Sequence, residues 1–169
     1  MATIRKVIEA DLPTILSWRN HVSVRQYMLS QHEITLDEHR NWFQKVNKDS
    51  ARSLLIVEKD CTAIGFVQFS NVKPCGCAEW GFYINPLLIG KGYGSLFGSL
   101  VLDYAFSDLN LHKVYGQTLA SNTSSIRFHQ KMGFVQEGTL RQHCLLDNQY
   151  YDLLCFGLLS DEWYLKRCT

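Results

Sequence analysis

The sequence predicts a mixed-sheet α/β domain built around an anion-binding turn. Three observations carry that expectation. Residues 75–85 include Trp80, Phe82, Tyr83 and Ile84 and stop at Pro86, which is the pattern of a strand. Residues 95–107 place apolar side chains at 96, 97, 100, 101, 104 and 105, the spacing of a one-sided helix. Between them lies Gly90-Lys91-Gly92-Tyr93-Gly94. Glycines let the backbone approach a phosphate, and the free N–H groups and positive dipole end of the helix face it.

The remaining elements follow in order. Residues 2–8 alternate and suit a first strand. Glu9-Ala10-Asp11 opens a helix that tolerates Pro13 in its first turn. Leu12, Ile15 and Leu16 form its inner stripe, and Arg19 continues that stripe beside Trp18, Asn20 and His21. An arginine on an apolar face needs a carboxylate, a path to water or a ligand. Residues 22–28 read as a short helix. Residues 35–46 form a clear one, capped by Thr35, with Glu38 placed to complete a capping box. His39, Trp42, Phe43 and Val46 share its inner face. A histidine there is more often a hydrogen-bonded core residue than a ligand. Residues 53–59 and 62–71 read as strands, and strand 75–85 follows. After helix 95–107 come strand 112–119 and helix 122–132, ended by Gly133. A hairpin over 134–145 and 149–158 closes the chain.

Composition narrows the function. At 169 residues the chain is one domain's worth, with residues 1–169 read as a single domain. A net charge of +1 offers no bulk attraction for nucleic acid or for an anionic membrane. No 18-residue apolar run and no signal-peptide pattern occurs, so a cytoplasmic protein is expected. The six cysteines are scattered, and Cys75-x-Cys77 lacks a second pair at zinc spacing. Free thiols and no metal are the expectation. Monomer and homodimer both fit.

Two phosphate loops are excluded. No Gly-Lys-Ser/Thr opens the helix, and Gly90, Gly92 and Gly94 are not spaced as G-x-G-x-x-G. The loop instead resembles motif A of the GCN5-related N-acetyltransferases (GNAT), Q/R-x-x-G-x-G/A. It matches at Gly92 and Gly94, with Ile89 where the family has Gln or Arg. A second block runs Asn122-Thr-Ser-Ser-Ile-Arg-Phe-His129-Gln-Lys-Met-Gly133-Phe134. It resembles N-x-x-[AS]-x-x-L-Y-x-K-x-G-F, with His129 in place of the tyrosine. The resemblance implies the GNAT fold, a mixed, mostly antiparallel sheet of about seven strands flanked by four to five helices. It implies acetyl-CoA as cosubstrate. The pyrophosphate would lie on Ile89, Gly90, Lys91, Gly92, Tyr93, Gly94 and Ser95. The backbone of Phe82, Tyr83 and Ile84 would hold the pantetheine arm and polarise the carbonyl, with Asn122 bonding the arm.

Acetyl transfer to an amine needs a base, a donor for the developing oxyanion, an acid for the thiolate and alignment. Glu79 alternates with Cys77, Gly81 and Tyr83 on one strand face, and a carboxylate within such an apolar strand suits a cleft-lining base. The bland alternative is a salt-bridged structural glutamate. His129 is the candidate acid in place of the family's phenol, or else a packing residue. Asn122 is also a natural helix cap.

The opening segment resembles, in outline, two GNAT groups: the ribosomal-protein N-terminal acetyltransferases and the nucleotide-sugar acetyltransferases of pseudaminic-acid synthesis. Trp18-Arg19-Asn20-His21, Glu38-His39 and the run ending at Tyr115 resemble the second group more closely. That implies UDP-4-amino-4,6-dideoxy-N-acetyl-β-L-altrosamine as acceptor, with Arg19 and Asn20 for its polar groups and Met28, His39 and Trp42 for its flat ones. A peptide or polyamine acceptor is the alternative. A non-catalytic acyl-CoA-binding module is the alternative of another class, suggested by the departures at Ile89 and His129.

Overall fold

A computed structural model describes residues 1–168. Seven strands form one sheet: β1 (Ala2–Lys6), β2 (Ser53–Lys59), β3 (Thr62–Ser70), β4 (Cys77–Ile84), β5 (Lys113–Leu119), β6 (Val135–Leu146) and β7 (Gln149–Leu159). Their spatial order is β1-β2-β3-β4-β5-β7-β6. Every neighbouring pair is antiparallel except β4–β5. A parallel pair needs a crossover, and α4 (Tyr93–Ser107) supplies it.

Two apolar layers hold the sheet. On one face α1 (Leu12–Asn20) and α3 (Leu36–Val46) bury Leu12, Ile15, Trp18 and Phe43 against Leu54, Ile56 and Phe66. On the other, α4 and α5 (Thr123–Met132) bury Phe97, Val101, Leu102 and Met132 against Leu55, Val67, Trp80 and Val114. The short α2 (Val22–Arg25) leads into a segment, residues 26–34, that spans to α3. Thr35 caps α3 as expected: its hydroxyl oxygen accepts from Glu38 N at 3.2 Å, and Glu38 accepts from Thr35 N at 2.7 Å.

The decisive feature is a splay. The β4–β5 ladder runs only from Cys77 to Glu79, paired with Lys113 to Tyr115. Trp80, the next residue, lies over Gly116, where a Cβ would come within 2.6 Å of its indole. Trp80 stacks on Phe134 and packs against Phe82 and His129. The aromatic cluster occupies the space between the diverging strands, and residues 80–84 keep only β3 as a strand neighbour.

Some boundaries differ from expectation. β4 starts at Cys77, because Cys75 is in the left-handed region at φ 57°. α2 is shorter than 22–28, and α4 begins at Tyr93 rather than 95. The helices number six among the described residues, not four to five, and a short 3-10 turn stands at Glu9–Asp11 and another at Pro86–Leu88. The unanticipated α6 (Ser160–Cys168) carries Asp161 and Glu162 in its first turn and Lys166 and Arg167 in its last, as the helix dipole favours. It is held by Trp163, whose indole donates to Asp103 at 2.9 Å. No helix among the described residues is long and apolar enough to cross a membrane.

Candidate active site

The loop before α4 has the geometry of an anion cradle. Gly90 and Gly92 sit at φ 79° and 83°, the left-handed region that favours glycine. A Cβ at either meets nothing within 4 Å, so backbone conformation rather than space requires glycine there. Gly92 is the N-cap of α4 with no side chain to satisfy the first N–H groups. Ile89 is exposed and adds no polar group, and Lys91 is exposed beside it. Lys59 lies over the Tyr93 ring at 5.3 Å, bringing a second cation to the loop. Gly94 stands between Ile84 of β4 and Phe128 of α5, with its Cβ position 3.7 and 3.8 Å from them. The loop, the freed edge of β4 and α5 therefore meet at Gly94. Phe82, Tyr83 and Ile84 present there backbone that no β5 partner engages. Such an edge is suited to an extended polar chain adding as a strand does. Ser95 lies in the first turn of α4, half-buried. Asn122 caps α5, its Oδ1 accepting from Ser125 N at 3.1 Å.

A hollow of about 410 Å³ opens on the α1/α3 face of β4. Of the five residues expected to bind acceptor, Arg19, Met28, His39 and Trp42 line it. Asn20 does not. Its side chain donates to Ile34 O at 2.8 Å and accepts from Ile34 N at 2.9 Å, bracing the 26–34 segment over the hollow. Sequence reasoning missed Gln68 and Phe66 of β3 and the Tyr83 side chain as lining groups. It missed His32, Ile34 and the Glu38 side chain at the mouth. The β3 residues carry a readable signal: Gln68 interrupts an apolar strand much as Glu79 does.

The electrostatics of this hollow are unusual. Arg19 is 8% exposed and has no ion-pair partner among the described residues. Its Nη2 donates to Ser30 O at 2.5 Å, and burial lowers its pKa. Burial, then the Arg19 charge, holds the His39 imidazole below the ordinary histidine range. His39 stacks on Trp42 at 5.0 Å. Among the described residues three buried side-chain atoms lack any hydrogen-bond partner: Arg19 Nη1, His39 Nε2 and Gln68 Oε1. All three belong to residues of this hollow. Burial pushes the Tyr83 hydroxyl well above the usual phenol range.

Glu79 is half-buried at the last rung of the β4–β5 ladder, between Ser70 and Tyr115. It is two residues before Gly81, which lines the hollow. Among the described residues no ion pair or hydrogen bond engages its carboxylate, so the salt-bridged reading gains no partner.

His129 is 2% exposed. Its Nδ1 lies 2.8 Å from Ser125 O and its Nε2 accepts from the Trp80 indole at 3.2 Å. The ring stacks on Phe156 and meets Phe134 edge-on. Donation to the Ser125 carbonyl puts the proton on Nδ1 and leaves Nε2 as acceptor. Burial lowers its pKa. Both nitrogens are engaged inside the core, so this geometry supports the packing role and gives the ring no proton to offer a thiolate.

Comparison with known proteins now decides the family. A sequence model of the acetyltransferase (GNAT) domain matches residues 2–135. The chain belongs to the GNAT acetyltransferases. This GNAT enzyme is therefore an acetyl-CoA-dependent N-acetyltransferase, and the seven-stranded splayed sheet is the family's fold. It is 28% identical to spermidine N(1)-acetyltransferase of Vibrio cholerae over 98% of this chain and 96% of that one. It is also 28% identical to acetyltransferase PseH of Campylobacter jejuni, over 73% and 76%. The solved Vibrio cholerae spermidine N-acetyltransferase in complex with CoA and spermine superposes with a TM-score of 0.89 at 27% identity, covering 96% and 98%. No cluster of three or more potential metal ligands occurs among the described residues of this GNAT protein.

Proposed function

We propose that this enzyme acetylates the amino group of an anionic small molecule, a UDP-linked 4-amino-sugar of the pseudaminic-acid type. The carrying observation is Arg19: a buried guanidinium without a counter-ion in the hollow beside β4. A guanidinium is not deprotonated in proteins and binds phosphate in a forked geometry. A polyamine entering there would meet like charge in a low-dielectric site. Met28 and the stacked His39–Trp42 pair offer apolar surface to a base or sugar. The reading implies a cytoplasmic enzyme.

In this reading acetyl-CoA and acceptor reach β4 from its two sides. Glu79, directly or through water, takes a proton from the amine. The nitrogen attacks the thioester carbonyl, and the oxyanion forms against backbone N–H of residues 82–84. The intermediate collapses with cleavage of the C–S bond. The thiolate leaves without a proton from His129, which a thiol of ordinary pKa near 8.5 tolerates at neutral pH.

A second reading is favoured by one observation. The spermidine acetyltransferases match this chain over a longer span than PseH does, at equal identity. CoA release with the UDP-4-amino-sugar, spermidine and ribosomal-protein N-terminal peptides in parallel separates the readings. Turnover with the nucleotide-sugar, together with a KM for it raised about 10-fold or more in Arg19→Ala, is expected for loss of a charge-assisted hydrogen bond. Turnover with spermidine alone would overturn the proposal. Acetyl-CoA binding with no turnover of any amine would point to a binding module.

A further inference from the structure

Gln68 has no place in the chemistry described so far. It lies on β3 directly opposite Gly81 in the antiparallel register, two rungs from the Ser70–Glu79 pair. Residues 68 and 79 are therefore diagonal neighbours on one sheet face, ~7–8 Å apart at their Cα atoms. Gly81 has no side chain, and the Gln68 carboxamide fills the space in front of it. Gln68 Nε2 and Cγ stand 3.7 and 3.8 Å from where a Cβ at 81 would be. Gly81 and Gln68 both line the hollow proposed for the acceptor, and the backbone just beyond Gly81 is the free β4 edge proposed for acetyl-CoA. On that reading the carboxamide sits where the two substrates would meet.

Its oxygen is buried with nothing to accept. A buried acceptor left unpaired is unfavourable, and a ligand that donates to it relieves that state. Arg19, the buried cation of the hollow, only donates hydrogen bonds. A neutral amine brings two N–H bonds and one lone pair. For attack, the lone pair must face the acetyl carbon, so an N–H has to be directed elsewhere. The terminal torsion of glutamine is broad and two-fold, so the amide oxygen turns toward an incoming N–H without leaving its rotamer.

Building on the acceptor hollow assigned above, we propose that Gln68 positions the acceptor amine. Its side-chain carbonyl accepts one amine N–H, and Glu79 on the neighbouring strand takes the proton that is lost. Gln68 itself neither gains nor loses a proton.

The test uses full-length Gln68→Leu, Gln68→Glu and Gln68→Asn with whichever amine the wild type acetylates best. Failure of the nucleotide-sugar assignment is therefore scored separately, in the choice of amine. Leucine keeps the volume and removes the acceptor. It is expected to lower kcat/KM for the amine about 30-fold, as for an unpaired buried polar partner. Calorimetric affinity for acetyl-CoA and the shape of the pH–rate profile are expected to match wild type, because neither cofactor nor base is touched. Glutamate restores an acceptor oxygen and is expected to return activity to within about fivefold of wild type. Gln68→Leu activity within threefold of wild type would overturn the proposal, as would equal impairment of Leu and Glu. Were Gln68→Leu to lose acetyl-CoA binding as well, Gln68→Asn takes over, since it only withdraws the amide by one methylene. A 10-fold loss in Asn with intact cofactor affinity supports the assignment, and wild-type activity in Asn refutes it.

Discussion

Two histidines with similar sequence settings have separate fates. Each stands on the inner face of an amphipathic helix, and both are buried. His129 is satisfied at both nitrogens inside an aromatic core, whereas His39 keeps Nε2 unpaired in the hollow beside β4. Replacing His129 with Phe strands the Trp80 indole N–H and is expected to destabilise the fold by about 1–3 kcal/mol. It is also expected to leave kcat within threefold at pH 7–8. A 100-fold fall in kcat with unchanged acetyl-CoA affinity would restore the acid role to His129. Burial lowers the pKa of both histidines. The unfolded chain, with histidines near 6.5, then binds more protons than the folded one as pH falls through that value. Their neutral burial therefore contributes full stability above about pH 7 and progressively less below 6.5. Urea midpoints at pH 7.5 and 5.5 measure this, and the drop should be smaller in His129→Phe than in wild type. Glu79 acts at the same scale: Glu79→Gln should reduce kcat about 100-fold, the typical contribution of a general base, with little change in acetyl-CoA affinity. Unaltered kcat in that variant would remove Glu79 from the mechanism.

At the scale of elements, glycines set the two approaches to β4 for different reasons. Gly92 is required by its left-handed conformation at the start of α4. Gly92→Ala imposes about 1–2 kcal/mol of strain on the loop. It should show as a KM for acetyl-CoA raised roughly tenfold, with the far-UV circular dichroism preserved. Gly116 is required by proximity, since a Cβ there lies 2.6 and 2.7 Å from Trp80 Cδ1 and Nε1. Gly116→Ala forces the indole to move and loosens its bond to His129. A destabilisation of about 1–3 kcal/mol is expected from the overpacking. An unchanged melting temperature would show that the splay tolerates displacement of Trp80.

At the scale of the molecule, one strand serves two sites. Residues 81–83 line the hollow proposed for the acceptor, and residues 80–84 offer the free edge proposed for acetyl-CoA. On that proposal both substrates are present together, and the reaction needs no acetyl-enzyme. Initial-velocity plots against both substrates should intersect. Parallel lines, with an acetyl group recovered on a cysteine such as the exposed Cys77, would contradict this arrangement.

Much of this plan was legible along the chain. Hydrophobic spacing marked the strands and most helices, the Gly90–Gly94 turn marked the anion loop, and the inner faces of α1 and α3 marked Arg19, His39 and Trp42. These are local signals, because a side chain's face follows from backbone periods of two or 3.6 residues. The dipole-matched charges of α6 are a local signal of the same kind. What neighbours do is not local. The sealing of His129 by Trp80 and Phe156, the bracing role of Asn20, the early end of the β4–β5 ladder and the placing of Gln68 beside Gly81 are decided between residues 13 to 49 apart in sequence. A periodicity names the face a side chain occupies. Whether that side chain becomes core, brace or reactive group depends on which distant atoms come within 3 to 4 Å of it, and only the folded sheet brings them there.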